Sequence, residues 1–250
     1  MHYPSMEFNI ANTLLRRAEC NPTRTALIFE DQTTTYKEFA ERVKHQAQLL
    51  RDAGVCVGDR VGFLGFNQPA FLETLFAANA IGAIFVPLNF RLTAEELTFI
   101  INDAGIHSLV VDDALLSVIG PARSNLCCRH YFSAESKTDG WRHLLTEREA
   151  TDPLSEIVTV SQHDVSVIMY TSGTTGLPKG AMLTHGNLMW NNINAHFAFG
   201  QQRDDVVLTV APLFHIGGLN VVTLHTFTLG GTVLLMRAFE PGEVLDLIQE

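Results

Sequence analysis

The most informative segment of the chain is residues 170–180, which read Tyr170-Thr171-Ser172-Gly173-Thr174-Thr175-Gly176-Leu177-Pro178-Lys179-Gly180. Its three glycines permit positive φ angles and let backbone N–H groups approach a ligand closely. Its three threonines and one serine supply hydroxyl groups that can donate hydrogen bonds, and Lys179 supplies one compact positive charge. Pro178 fixes its own φ angle and favours an extended Leu177. Together these properties predict a loop that holds a polyphosphate.

This loop differs from two common phosphate-binding patterns. A Walker A loop has Gly directly before its Lys and Ser or Thr directly after it, whereas Lys179 lies between Pro178 and Gly180. A dinucleotide-binding fingerprint has a different glycine spacing and opens a helix. By composition alone, a flexible loop between two strands with a solvent-exposed Lys179 fits equally well. The complete eleven-residue pattern is what favours phosphate binding.

Strands and helices alternate on both sides of the loop. The predicted strands are 25–30, 60–65, 83–87, 108–111, 165–170, 181–184, 206–211 and 232–236. The predicted helices follow Thr35 and Thr93, where Glu three residues later gives capping-box spacing, and cover 68–81, 187–199, 216–228 and the segment from Pro241. Such alternation with apolar strands predicts a largely parallel α/β sheet covered on both faces. Trp190 and Phe197 share a helical face and are predicted to pack in the core.

Composition limits the classes of function. Hydrophobic residues make up 46% and charged residues 18%, which indicates a globular protein. A net charge of −10 disfavours nucleic acid as a partner. The four cysteines form no C-x-x-C pair and no histidine cluster has metal-ligand spacing, which favours reduced thiols. We expect a cytoplasmic protein with no secretory signal and no transmembrane segment. Peripheral membrane contact and oligomer formation stay open.

The sequence resembles the adenylate-forming superfamily, which comprises acyl-CoA synthetases, adenylation domains of peptide synthetases, and luciferases. The resemblance is most specific at residues 170–180 and continues through 181–188. Residues 82–97 resemble the corresponding stretch of fatty and aryl acyl-CoA synthetases, and residues 211–219 resemble the family's acyl-pocket motif. Nearly all of the chain is covered, with the weakest similarity between about 112 and 160.

The resemblance implies a reaction in two steps. A carboxylic acid attacks the α-phosphate of Mg-ATP, giving acyl-AMP and pyrophosphate, and the thiol of CoA then displaces AMP. The implied ligands are therefore ATP, Mg²⁺, CoA as co-substrate and a small carboxylic acid. Positioning and charge neutralisation carry most of the catalysis in such chemistry.

The resemblance also implies roles for individual residues. The residues expected to bind the ATP phosphates are Thr171, Ser172, Gly173, Thr174, Thr175, Gly176 and Lys179. Lys179 and His215 are the implied catalytic residues, and Thr171 is the implied metal contact. The residues expected to bind the acid are Phe214, His215, Gly217 and Asn220. For His215, an ordinary histidine hydrogen-bonded to backbone is the alternative.

The implied fold is the N-terminal large domain of the adenylate-forming fold, an α/β structure with stacked αβαβα layers, here truncated. We expect a first α/β subdomain over 1–160, an incomplete second subdomain carrying the phosphate loop over 161–250, and no C-terminal mobile domain. Ala238 stands where some relatives place a basic residue that meets CoA, with Arg237 beside it, so that contact is not predicted.

Two functional hypotheses remain open from the sequence. The first is the N-terminal part of an acyl-CoA synthetase for a fatty or aryl acid. The second is a truncated, non-catalytic remnant or binding module that retains a partial ATP site. The family's magnesium-binding Glu, ribose-binding Asp and C-terminal catalytic Lys are not matched in these 250 residues. We therefore expect little or no activity from the isolated chain.

Overall fold

The computed structural model of the chain describes residues 7–171 and 176–249. The strands are β1 Thr25–Phe29, β2 Gln32–Thr35, β3 Arg60–Leu64, β4 Ile84–Leu88, β5 Ile106–Val111, β6 His130–Ser133, β7 Arg142–His143, β8 Val165–Thr171, β9 Lys179–Thr184, β10 Val206–Thr209 and β11 Thr232–Leu235. The α-helices are α1 Ala11–Cys20, α2 Tyr36–Asp52, α3 Pro69–Ala80, α4 Ala94–Ala104, α5 Leu116–Ile119, α6 Leu144–Glu149, α7 His185–Phe199, α8 Leu224–Leu229 and α9 Pro241–Gln249. A π-helix, Gly217–Thr223, leads into α8.

The larger sheet has seven strands in the order β7-β6-β5-β3-β4-β8-β9. Every neighbouring pair in it is parallel except β8 and β9, which form an antiparallel hairpin at one edge. Since parallel strands carry their loops and ligands at their carboxyl ends, β8 delivers Thr171 to the same edge of the sheet at which β4 ends.

The smaller sheet has four strands in the order β10-β11-β1-β2. Strand β1 pairs in parallel with β11, which places Leu27 opposite Val233. These two residues lie near opposite ends of the sequence. Each sheet thus combines strands from before and after residue 160. That boundary does not separate the two sheets, and the proposed division into two subdomains stays a prediction.

A layer of helices joins the two sheets. Helix α2 contacts β1 and β2, whereas α3 contacts β3 and β4, and the two helices pack on each other. The rings of Phe39, Phe76 and Phe227 meet at centroid distances of 5.4–5.9 Å where α2, α3 and α8 converge. Helix α4 covers the other face of the larger sheet through a second apolar cluster. The described layers are therefore sheet, helices, sheet and helix, which agrees with the mixed α/β prediction.

Local sequence signals explain where several helices begin and end. Both predicted capping boxes are present, at Thr35–Glu38 and Thr93–Glu96, and each satisfies free backbone N–H groups at a helix start. Helix α4 ends at Gly105, whose φ of +62° favours glycine, and a Cβ there would lie 2.4 Å from the guanidinium of Arg60.

The structure corrects three local predictions. Strand β2 was not expected, because its threonines carry no apolar alternation. The segment predicted as one helix over 216–228 begins as a π-helix. Trp190 and Phe197 are 54% and 82% exposed, so their predicted place in the core is wrong. Helix α7 instead buries its opposite face, through Leu188 and Ala195.

Two sequence expectations can be compared with the described residues. No helix among them is both long and apolar enough to cross a bilayer. All four cysteines are unpaired thiols, and Cys128 is the one that is partly buried. Burial raises the pKa of the Cys128 thiol to about 12, so this thiol stays protonated near neutral pH.

Candidate functional site

The predicted phosphate loop lies at the open end of the β8–β9 hairpin. Thr171 ends β8, Lys179 begins β9, and the two are direct cross-strand partners. Both residues are exposed, and side chains of direct cross-strand partners project from the same face of a hairpin. Four predicted phosphate-binding residues, Ser172, Gly173, Thr174 and Thr175, lie outside the described residues. The structure thus brings together Thr171, Gly176 and Lys179 from the predicted set.

The charge of Lys179 is available to a ligand. None of the ion pairs between described residues involves it. Pro178 precedes it and lacks a backbone N–H, which suits the edge position at which β9 begins. An ammonium group held at a strand end acts as a point charge for phosphate oxygens.

A cavity of about 460 Å³ adjoins the end of the hairpin. Its walls come from the carboxyl ends of β4 and β8, from α4 and from the loop before the π-helix. They are formed by Pro87, Leu88, Asn89, Leu92, Glu95, Glu96, Phe99, Ile100, Tyr170, Thr171, Gly176, Leu177, Pro178 and Phe214. Most of these side chains are apolar, and three are aromatic. Ligand sites in proteins commonly have this make-up of apolar walls with a few polar groups.

Negative and positive side chains lie in different parts of this region. Glu95 and Glu96 face the cavity from the first turn of α4, whereas Lys179 lies at the hairpin end. The backbone N–H and the hydroxyl of Thr93 hold the pKa of the Glu96 carboxyl below its ordinary value, so Glu96 is ionised at neutral pH. Carboxylates repel phosphate groups. The cavity therefore suits an uncharged group, and the lysine end suits the phosphates.

The predicted acid-binding residues occupy different positions. Phe214 lines the cavity and packs edge-on against Phe90 at 5.3 Å. His215 is exposed, and its Nδ1 accepts a hydrogen bond of 3.2 Å from the backbone N–H of Gly217. Asn220 is buried within the π-helix, and its side-chain oxygen has no partner among the described residues. Phe214 alone of this group borders the cavity, and the acid-binding roles of all four residues stay predictions.

The loop that carries Phe214 is held by a residue absent from the predicted set. Asn67 is 3% exposed, and its Nδ2 donates to the carbonyl oxygens of Ala211 and Met236 at 3.1 and 3.0 Å. Its Oδ1 accepts from the backbone N–H of Leu213 at 2.8 Å. One amide thus fixes the loop against the ends of β3 and β11. Its position two residues after a predicted strand was the available signal, but nothing in the sequence indicates its distant partners.

Close packing of backbone also shapes this loop. A Cβ on Gly218 would lie 2.5 Å from the carbonyl oxygen of Pro212 and 2.7 Å from that of Ala211. Glycine is therefore required for the π-helix to lie on the segment that precedes it. π-Helical turns often occur at functional sites, and this one follows directly after Phe214 and His215.

The half-buried side chain of Arg237 is paired with two carboxylates. Its Nη2 donates to both carboxylate oxygens of Asp112 at 3.0 Å, and its Nη1 donates to Glu135 at 3.1 Å. Asp112 is fully buried and also accepts from Gln68 at 2.7 Å. The pair ties the end of β11 to the end of β5. Whether residues 237 and 238 contact CoA stays a prediction.

Thr171 is the residue predicted to contact the magnesium ion. Mg²⁺ prefers oxygen ligands and is usually held by one or two carboxylates together with substrate phosphates. Thr171 presents a hydroxyl at the hairpin end, which fits one such position. Within 7–171 and 176–249, no three His, Cys, Asp or Glu side chains gather as a metal site.

Comparison with known proteins places this site in context. The profile of the family described as AMP-binding enzyme matches residues 14–250. A feruloyl-CoA synthase from an Amycolatopsis species is 42% identical over 237 residues, covering 94% of this chain and 45% of the relative. An indoleacetate–CoA ligase from Aromatoleum aromaticum is 35% identical, covering 94% of this chain and 46% of the relative. The chain thus spans about half the length of the curated relatives it matches.

A solved structure agrees with these sequence matches. The long-chain-fatty-acid–CoA ligase from Archaeoglobus fulgidus superposes with a TM-score of 0.89 at 28% identity, covering 99% of this chain and 50% of that chain. The predicted fold class is thereby confirmed, with this chain corresponding to the N-terminal part of such enzymes. Sequence profile, relatives and structure agree, and the chain belongs to the AMP-binding enzyme family.

Proposed function

We propose that this chain supplies the ATP-phosphate site of an acid–CoA ligase that activates an aromatic carboxylic acid. The observation that carries the proposal is the exposed Thr171–Lys179 pair at the end of β8–β9, beside an apolar cavity of about 460 Å³. Two relatives bear names of ligases for aromatic acids, feruloyl-CoA synthase and indoleacetate–CoA ligase. The aromatic side chains of Phe99, Tyr170 and Phe214 along the cavity fit an aromatic acid better than a long alkyl chain.

In the proposed reaction the acid carboxylate attacks the α-phosphorus of ATP. The bond from this phosphorus to the bridging oxygen breaks, and pyrophosphate leaves with its electron pair. CoA thiolate then attacks the acyl carbon and releases AMP. The ammonium of Lys179 faces the phosphates and neutralises charge that builds up on the departing pyrophosphate.

Thr171 would add its hydroxyl oxygen to a magnesium ion carried on the ATP phosphates, where the ion supplies further neutralisation of negative charge. Glu95 and Glu96 keep phosphates away from the cavity, so an acid is oriented with its ring inward and its carboxylate towards the hairpin. His215, Gly217 and Asn220 are proposed to border the acid from the π-helix. ATP, Mg²⁺ and CoA as ligands, and a cytoplasmic location, belong to the same proposal.

ATP–pyrophosphate exchange tests the proposal directly. The assay uses a panel of aromatic and fatty acids, with the 250-residue chain and any longer natural product that contains it. We expect aromatic acids to support the faster exchange. In a longer product, ATP binding without exchange for any acid would favour the binding-module alternative, and no ATP binding would reject both hypotheses.

The variant Lys179→Ala tests the proposed role of Lys179. We expect about a hundredfold slower exchange, the usual cost of removing one transition-state donor. Lys37→Ala is the matched control, because Lys37 is an exposed lysine on α2 with only a surface pair to Glu41 at 3.9 Å. Equal rates for the two variants would remove Lys179 from the site.

A further inference from the structure

Tyr170 directly precedes Thr171, and its ring lies against the opposite strand of the hairpin. It is paired with Gly180, and a Cβ added to Gly180 would lie 3.1 and 3.2 Å from Tyr170 Cζ and Cε2. The same Cβ would lie 2.7 Å from Ile168 Cγ2. Glycine at 180 therefore leaves the space that the tyrosine ring uses. One side chain of β8 thus covers the backbone of β9 next to Lys179.

The hydroxyl of Tyr170 reaches a third element. It donates to Asp103 Oδ2 at 2.5 Å, in the last turn of α4. Burial, and then the bond to Asp103 and its charge, raise the pKa of Tyr170, so the phenol is protonated and able to donate at neutral pH. A hydrogen bond to a charged acceptor is stronger than one between neutral groups.

The end of α4 is itself held firmly. Arg60 on β3 donates from Nε to the carbonyl oxygen of Ala104 at 2.6 Å and from Nη2 to that of Gly105 at 2.7 Å. Since β3 is in the middle of the seven-stranded sheet, the end of α4 is fixed relative to that sheet. The bond from Tyr170 to Asp103 therefore ties the hairpin to a rigid support.

The hairpin needs such a tie. In the described sheet β9 pairs with β8 alone, and residues 179–182 are exposed. An edge strand with one partner opens more readily than a central strand. Thr171 and Lys179 form the outermost step of this ladder, and the ends of a ladder generally open more readily than its middle. A displacement of about 1 Å in a substrate-binding group can cost catalysis heavily.

We propose that Tyr170, through its contact over Gly180 and its bond to Asp103, is a positioning residue that holds Thr171 and Lys179 in place for the phosphates of ATP. The inference rests on the proposed function for its ligand. Tyr170 and its link to α4 are not among the residues predicted to bind the ATP phosphates. Because α4 also carries Glu95 and Glu96 into the cavity, the same link fixes the distance between the cavity wall and the phosphate end.

Hydrogen–deuterium exchange on the 250-residue chain tests the mechanical part. Tyr170→Phe keeps the ring and removes the hydroxyl, and Asp103→Ala removes the acceptor. We expect both to speed amide exchange in β9 about tenfold. The matched control is Tyr131→Phe. Tyr131 on β6 donates its hydroxyl to the carbonyl oxygen of Arg123 at 3.2 Å, and three strands lie between β6 and β8. Equal exchange in β9 for all variants would overturn the proposal.

Kinetics on the active protein test the positioning part. Tyr170→Phe should lower kcat/KM for ATP about tenfold, with KM for the acid changed less than about twofold. Tyr131→Phe should change neither. Faster β9 exchange without a selective effect on ATP would overturn the positioning role, because a purely structural loss would weaken both substrates alike. An equal loss of catalytic efficiency for ATP and for the acid would also overturn the positioning role.

The variant Gly180→Ala is an independent test, because it retains both the hydroxyl of Tyr170 and the carboxylate of Asp103. The added methyl would displace the ring, so we expect faster β9 exchange and weaker use of ATP even with Tyr170 and Asp103 intact. An Ala variant that behaves as wild type would contradict the ring contact. If the wild-type protein lacked ATP-dependent activity altogether, the proposed function would fail, whereas the deuterium exchange would still decide whether Tyr170 holds the hairpin.

Discussion

Helices α3 and α7 are both rich in apolar residues, yet they are buried to very different extents. Helix α3 lies between the two sheets, and 11 of its 12 residues are buried. Helix α7 buries one face and exposes Trp190, Phe197 and Phe199. The contrast shows that apolar composition alone does not place a helix in the core. What decides is whether the chain supplies packing surfaces on every side of it.

The contrast extends to the candidate site. The hairpin β8–β9 and the π-helix adjoin the more exposed region, whereas β3, β4 and the end of α4 belong to the well-packed one. Residues that bind a ligand are commonly presented by less stable segments on a rigid scaffold. Substitutions in the two regions should therefore differ sharply in their cost.

The largest effect is expected from Phe76→Ala on α3. Phe76 is fully buried, and its ring meets those of Phe39 and Phe227, each at 5.9 Å. Removing it leaves a cavity between the sheets and should lower the free energy of unfolding by about 4 kcal/mol. Urea denaturation with an unchanged slope would measure this. A loss below about 1 kcal/mol would show that the central helical layer repacks easily.

A somewhat smaller loss is expected from Glu73→Gln on the same helix. Glu73 is 3% exposed, and its carboxylate lies 2.6 Å from Arg148 and 3.5 Å from Arg42. Removing its charge leaves the buried guanidinium of Arg148 unpaired, and we expect a loss of about 3 kcal/mol.

The matched control replaces both partners. Glu73→Leu combined with Arg148→Met removes the buried charges together and should be less destabilising than Glu73→Gln, while Arg42 can still reach water. Thermal unfolding of the wild type, the single variant and the double variant shows which of the two variants is the less stable. A double variant less stable than the single one would indicate that the ion pair itself stabilises the fold.

A pH-dependent effect is expected at the start of α7. Burial lowers the pKa of His185 from 6.5 to about 4, and its Nδ1 accepts from the backbone N–H of Ile10 at 3.1 Å. Between these two values the unfolded chain binds more protons than the folded one. Stability should therefore fall as the pH decreases through this window, by up to about 3 kcal/mol.

His185→Asn provides the comparison, because the amide oxygen can accept the bond from Ile10 and does not titrate. Burial also lowers the pKa values of His107, His130 and His225, so both proteins lose stability in acid. The measured quantity is the difference between their free energies of unfolding from pH 7 to pH 4. Parallel curves would show that His185 does not contribute.

The smallest effect is expected from Phe197→Ala on α7. The side chain is 82% exposed, so its removal should change the free energy of unfolding by less than about 0.5 kcal/mol. This variant is the direct counterpart of Phe76→Ala, with the same change in chemistry at the opposite extreme of burial. A loss above about 1 kcal/mol would mean that the ring packs against a surface in solution.

Sequence patterns predicted the features that depend on near neighbours. The capping boxes at Thr35 and Thr93 need only residues three positions apart, and both are present. The same geometry at Thr184 and Asn187 was overlooked, because Asn takes the place of the usual Glu or Gln. The end of β8 and the start of β9, which flank the phosphate loop, were also predicted within one or two residues.

Features that depend on distant partners could not be predicted. Nothing near Asn67 indicates that its amide will hold residues 211–213 and 236. The solvent exposure of Trp190 depends on what packs around α7, which helical periodicity does not reveal. The bond from Tyr170 to Asp103 likewise joins residues 67 positions apart. Such contacts arise only once the sheets have brought the segments together.

The pairing of β1 with β11 has a consequence for biosynthesis. A ribosome releases Leu27 long before Val233, the residue opposite it in the parallel ladder. Until then β1 has only β2 as a partner, and the smaller sheet stays incomplete while the chain grows. Pairings between sequence-distant segments slow folding and leave strand edges available to other chains. During synthesis, this edge is where we expect chaperones to bind.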